Sequence, residues 1–166
     1  TAVTPPFLLL LANDSTGGFF AQLGALVIAS SFAGFVSGYI WGKLSDYSTS
    51  LVLALTGIAT SITLVGAVAA ASTNLYNTVW FLPLVLFLIM TMYQGVRIAR
   101  NIHIVNIANE DTRAGYTAVS NTIIGILLLF TGGLGLVAEM TSIATTLLIL
   151  AAMSLLGGLL AFRLKV

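Results

Sequence analysis

Long apolar runs separated by short polar breaks make up nearly the whole chain, and none of them shows the two-residue alternation of a half-buried strand. A helix needs about 20 mostly apolar residues to cross a hydrocarbon core of about 30 Å. Five windows meet that length: 18–41, 51–72, 79–100, 116–138 and 142–163. Barrel strands would appear as segments of about ten residues with alternating polarity, so the continuous runs predict helices. The expected fold class is therefore all-α: a polytopic membrane helical bundle of five transmembrane helices within residues 18–166. Ahead of it, the apolar stretch 7–12 that follows Pro5-Pro6 is too short to span. Residues 1–17 read as the outer end of a truncated preceding helix and an outer loop.

Composition agrees with lipid as the solvent. Apolar residues make up 58% of the chain and charged residues 7%, against about 25% charged in a soluble domain. The few charges fix an orientation. Once the five windows are threaded back and forth, Lys43, Arg97, Arg100, Arg113, Arg163 and Lys165 all fall on one side, and the other side holds only Asp14 and Glu139. The positive-inside rule makes the basic side cytoplasmic, with the C-terminus on it and the N-terminus outside. No basic, apolar signal peptide precedes the first window to carry that N-terminus across, so at least one further span upstream is expected.

Several function classes drop out. A net charge of +1, with every basic residue already explained by topology, gives no nucleic-acid stripe. The chain has no cysteine, hence no disulfide and no thiolate metal site. No span carries a carboxylate pair, a Ser–His dyad or a metal cluster, so neither an enzyme, a cofactor nor a metal is expected. Asn13-Asp14-Ser15 matches a glycosylation sequon, but Asp14, Ser15 or Thr16 serves the first span better as a helix cap.

The spans differ in what they carry. Ser30, Gly34, Gly38 and Gly42 recur every fourth position of the first, which predicts a close-packing seam for a neighbouring helix or a second copy. The second and fifth hold no ionisable residue and read as lipid-facing support. Tyr93, Gln94, Arg97 and Arg100 crowd one end of the third, while Tyr116 and Asn121 open the fourth. Polar groups at membrane depth are costly unless they face protein or water, so these two helices are expected to line the interior. Between them, residues 101–115 read as a connection holding a solvated or capping His103. That connection ends in a helix start, with Asn109 as cap and Glu110 and Asp111 in the first turn. Pro83 is a candidate kink in the third span.

Gly42-Lys43-Leu44-Ser45-Asp46, placed between two spans on the basic side, resembles the signature G-x-L-a-D-R-x-G-R-[RK] of the major facilitator superfamily. Gly42, Leu44 and Asp46 match and Ser45 is an acceptable small residue, while Tyr47, Thr49 and Ser50 depart from the pattern, as in that family's degenerate second copy. Gly95-Val96-Arg97, then residues 108–116, then Ser120-Asn121 and Gly125, resemble the connection between the tenth and eleventh helices of bacterial facilitators. The resemblance implies the C-terminal half of such a transporter, helices eight to twelve of twelve, with the N-terminal half as a missing partner. It implies a secondary-active carrier in a bacterial inner membrane that moves a small solute, with or without a coupling ion, by alternating access. It further implies a charge lock in which Asp46 meets Arg97, Arg100 or Arg113, and a substrate pathway touched by Gln22, Tyr93, Gln94 and Asn121. A small polytopic scaffold or assembly protein without transport activity is the alternative, which the glycine seam would suit.

Overall fold

The computed structural model describes residues 2–12, 19–73 and 81–164, without the side chains of residues 11, 12, 19–23, 25 and 26. The described residues form seven helical segments: α1 (Thr4–Ala12), α2 (Phe19–Tyr47), α3 (Thr49–Ala71), α4 (Phe81–Ile107), α5 (Glu110–Thr131), α6 (Gly133–Met140) and α7 (Ile143–Ala161). The protein is an all-α membrane helical bundle, and no strand occurs among the described residues. Among the described residues four rods are long and apolar enough to cross a membrane: α3, α4, the α5–α6 pair running Glu110–Met140, and α7. They coincide with the second to fifth expected spans. From residue 19 onward the first expected span lies within α2, whose 29 residues extend about 43 Å at 1.5 Å per residue. The expected caps of that span, Asp14 to Thr16, lie outside the described residues.

At the basic end α2, α4 and α5 run past the expected spans, whereas α7 stops short of its expected bounds. Gly42 to Asp46 belongs to the last turns of α2 and not to a loop, and the link to α3 is Ser48 alone. Ser48 is extended and its hydroxyl accepts from the Leu51 N–H, which starts α3 at once. Likewise α4 continues to Ile107, so His103 is helical, and the connection to α5 shrinks to Ala108 and Asn109. Asn109 stands at the cap position without a side-chain cap bond, while Glu110 and Asp111 occupy the first turn as expected. Pro83 is the third described residue of α4, and the position four residues before it, whose carbonyl it would leave free, lies outside the described residues, as does the expected kink.

Tight turns make the neighbours antiparallel, and cross-helix contacts fix which ends coincide. Thr49 at the start of α3 meets His103 near the end of α4, and Gly57 near the start of α3 meets Gly158 near the end of α7. The basic residues Lys43, Arg97, Arg100, Arg113 and Arg163 consequently gather at one end of the bundle, and Glu139 lies at the other. Lys165 is outside the described residues.

Two clusters hold the bundle. At the end away from the arginines, Leu64, Leu86, Ile89 and Leu147 are fully buried together, with Phe7 and Leu8 of α1 packed onto them. Nearer the basic end, Trp41, Val52 and Ala99 join α2, α3 and α4. Lipid tails are as apolar as these side chains, so contact quality rather than escape from water selects the pairs. Helices α3 and α7 meet backbone to backbone. A Cβ on Gly57 would stand 2.7 Å from the Gly158 Cα and 2.8 Å from the Ser154 carbonyl oxygen, so only glycine fits.

The two helices expected to be lipid-facing support are thus central packing elements, with Val52, Leu64, Leu147 and Leu150 buried between helices. Small residues Ala54, Gly57 and Ser61 on α3, and Ala151, Ser154, Gly158 and Ala161 on α7, recur at spacings of three and four and carried the signal. The seam expected on α2 is displaced by one residue. Ala29, Ala33, Ser37, Trp41 and Ser45 form the buried row, while Gly38 is exposed and Ser30, Gly34 and Gly42 are half-buried. A Cβ on Gly38 or Gly42 would meet nothing within 4 Å.

Candidate functional site

The buried row of α2 meets α4 around Gly95. A Cβ there would stand 2.7 Å from the Thr56 Cγ2 and 2.9 Å from the Trp41 ring, so this glycine admits both neighbours. Trp41 then donates its indole N–H to the Thr91 carbonyl at 3.0 Å, and the Ser37 hydroxyl donates to the same oxygen at 3.3 Å. Two buried hydroxyls of α3 are satisfied within the helix: Thr56 donates to the Val52 carbonyl and Thr60 to the Thr56 carbonyl, each at 2.7 Å. This polar knot leaves the Thr91 and Thr56 groups no lone partnerless atom, and it braces α4 where Tyr93 and Gln94, both half-buried, begin its polar half. Gln94 turns toward α2, its amide nitrogen 3.7 Å from where a Gly34 Cβ would lie.

One residue past Val96 the character of α4 changes. Arg97, Arg100, Asn101, Ile104 and Val105 share one face at spacings of three and four, and that face looks across a cleft of about 360 Å³ at Arg113, Thr117 and Asn121 of α5. Arg97 stands ten residues before the end of α4, about 15 Å along its axis. Asn121 lies eleven residues into α5, a similar depth from the same end. The cleft therefore runs from the basic end well into the bundle. On α5 the half-buried Ser120 and Ile124 lie on the same side as the exposed Arg113 and Thr117, so this side faces α4 across an open cleft while the rest of the circumference points away.

The guanidinium groups in the cleft are nearly unpaired. The side chains of Arg97 and Arg113 make no hydrogen bond or ion pair among the described residues. Arg100 reaches the Asn101 side-chain oxygen through Nη2 at 3.4 Å, while its Nε is buried without a partner. Asp46 is exposed on α2 and forms no ion pair among the described residues, so the lock expected between it and Arg97, Arg100 or Arg113 is not closed in this conformation. Ser45 beside it is buried with an unpartnered hydroxyl.

The sequence-predicted residues thus separate into three places. Arg97, Arg100, Arg113 and Asn121 come together in the cleft, joined by Asn101, Thr117, Ile104 and Val105, which the sequence had not singled out. Tyr93 and Gln94 sit deeper on α4 and do not line it, and the motif residues Gly42, Leu44 and Asp46 stay on α2. The Gln22 side chain lies outside the described residues. Thr117 was findable as the residue one turn beyond Arg113 and one turn before Asn121. The fold and the cleft define a polytopic helical membrane protein with a charged recess at one end. No family model, curated protein or solved structure matches the chain.

Proposed function

We propose that this bundle is one part of a secondary-active transporter of the facilitator type, moving a small solute by alternating access in a bacterial inner membrane. The observation that carries the reading is the open recess between α4 and α5, which is lined by half-buried Arg100 and exposed Arg97, Arg113 and Asn121 along the length of two otherwise apolar helices. Polar groups at such depth are costly in lipid and recur along solute pathways. The positive-inside rule makes the arginine end, and with it the C-terminus, cytoplasmic. In this reading α5 borders a cavity completed by a second bundle, since none of its residues is buried. The exposed Asp46 belongs to the unlocked state, and its pairing with an arginine belongs to the other.

The same exposed length of α5 favours one rival, a membrane scaffold that offers this helix to a partner protein. Flux separates the two. Proteoliposomes holding the product of the whole reading frame are offered a panel of radiolabelled small anions, cations and sugars. Saturable uptake of one class, slowed about tenfold or more by Asp46→Asn, is the expected result. A folded protein that moves none of them, with the Asp46→Asn variant indistinguishable from it, would favour the scaffold.

A further inference from the structure

The cleft between α4 and α5 concentrates positive charge without neutralising it. Three guanidinium groups carry five N–H donors each, and the described residues supply them one acceptor, the Asn101 oxygen at 3.4 Å. The carboxylates at this end are Asp46 on α2 and Glu110 and Asp111 on α5; all three are exposed and none is ion-paired among the described residues. Repulsion among three cations around about 360 Å³, together with the buried, partnerless Nε of Arg100, leaves the site short of an acceptor-rich anion. The walls narrow the class. Ile104 and Val105 give the recess an apolar flank beside the arginines, and α4, at 27 residues or about 40 Å, carries its last turns beyond a hydrocarbon core of about 30 Å. Arg100 and Arg113 stand near that end, at the depth of lipid headgroups, where basic recesses between membrane helices take up phosphate.

We infer that Arg97, Arg100 and Arg113 form a binding site for a phosphate-class oxyanion. The guanidinium forks engage the non-bridging oxygens, Thr117 and Asn121 supply further donors at the inner end, and an organic substituent lies along Ile104 and Val105. The phosphate belongs either to an anionic lipid headgroup entering from the membrane or to a free phosphate entering from water. The site stands on the geometry of α4 and α5 and holds whether or not the bundle moves a solute.

The test uses the full chain in nanodiscs. One arm measures retention of phosphatidylglycerol against phosphatidylcholine by native mass spectrometry; the other titrates radiolabelled inorganic phosphate into phosphatidylcholine discs at constant ionic strength. Selective retention of phosphatidylglycerol without phosphate binding assigns a lipid headgroup, and saturable phosphate binding assigns a soluble oxyanion. In whichever arm binds, each of Arg97→Gln, Arg100→Gln and Arg113→Gln weakens binding about fivefold, the equivalent of about 1 kcal/mol per basic residue. The triple Gln variant weakens it about a hundredfold. A triple Lys variant, which keeps the charge and controls for folding through its circular dichroism melt, retains an intermediate affinity because it lacks the forked geometry. Absence of binding in both arms overturns the site, as does a folded triple Gln variant that binds like the parent.

Discussion

Helix α3 and the α5–α6 rod have the same mean hydropathy, 2.1 over their most apolar windows, and opposite surroundings. Of that window, 44% is buried inside the bundle in α3 and none in α5–α6. The difference teaches that apolarity in a membrane protein says where a helix lies and not what it touches. In water an exposed rod with Leu129 at 82% and Phe130 at 77% exposure would be driven to pack, whereas lipid tails satisfy it as well as a core does. What separates the two helices is the size and spacing of their small residues. On α3 Gly57 sits where α7 presses in and Thr56 where α4 does, while on α5 Gly115 and Gly125 face open space.

The comparison is broken most severely by emptying the packed side. Leu64→Ala removes a fully buried side chain and is expected to lower stability by about 3 kcal/mol, while Leu129→Ala changes it by less than about 0.5 kcal/mol; reversible unfolding in mixed micelles measures both. Overfilling ranks next. Gly57→Ala places a methyl group 2.7 Å from the Gly158 Cα, backbone against backbone, and is expected to cost about 2 kcal/mol in the same assay. Gly125→Ala, in open space, is expected to be neutral or slightly stabilising. A smaller effect belongs to the polar knot, where Trp41→Phe keeps the ring but leaves the Thr91 carbonyl with the weaker Ser37 bond, at about 1 kcal/mol. The smallest change sharpens the register of α2. Gly38→Ala, one residue off the buried row, is expected to gain about 0.5 kcal/mol through reduced backbone freedom, and a loss above about 1 kcal/mol would restore the seam read from the sequence.

Much of this fold was legible because a bilayer dictates span length. Four expected spans coincide with apolar rods, and the alternation of loops placed the described basic residues at one end. Helix ends were less legible, since the sequence changes polarity at the membrane boundary while the backbone keeps its hydrogen-bond ladder through Lys43, Asp46 and His103. Pairing was least legible. The row Ser30, Gly34, Gly38 and Gly42 was conspicuous, but Trp41, one residue away from Gly42, finds its acceptor on α4 and turns the adjacent row inward. On α3 and α7, small residues scattered among leucines hid a backbone-to-backbone contact. The recess was half legible. Arg97, Arg100, Arg113 and Asn121 announced themselves as polar groups in apolar helices, whereas Asn101, Ile104, Val105 and Thr117 become wall residues only once α4 and α5 face each other.

That facing is the central claim, and thiol labelling tests it directly because the chain has no cysteine of its own. Single cysteines are placed at Thr117 and Asn121 in the recess, at Leu129 on the outer α5 surface and at Leu64 in the core, then challenged with a membrane-impermeant maleimide from each side in sealed vesicles. Thr117→Cys and Asn121→Cys are expected to label from the arginine side alone, and Leu129→Cys and Leu64→Cys from neither. Thr117→Cys and Asn121→Cys as inert as Leu129→Cys would mean that the stripe faces lipid and that no recess exists between α4 and α5.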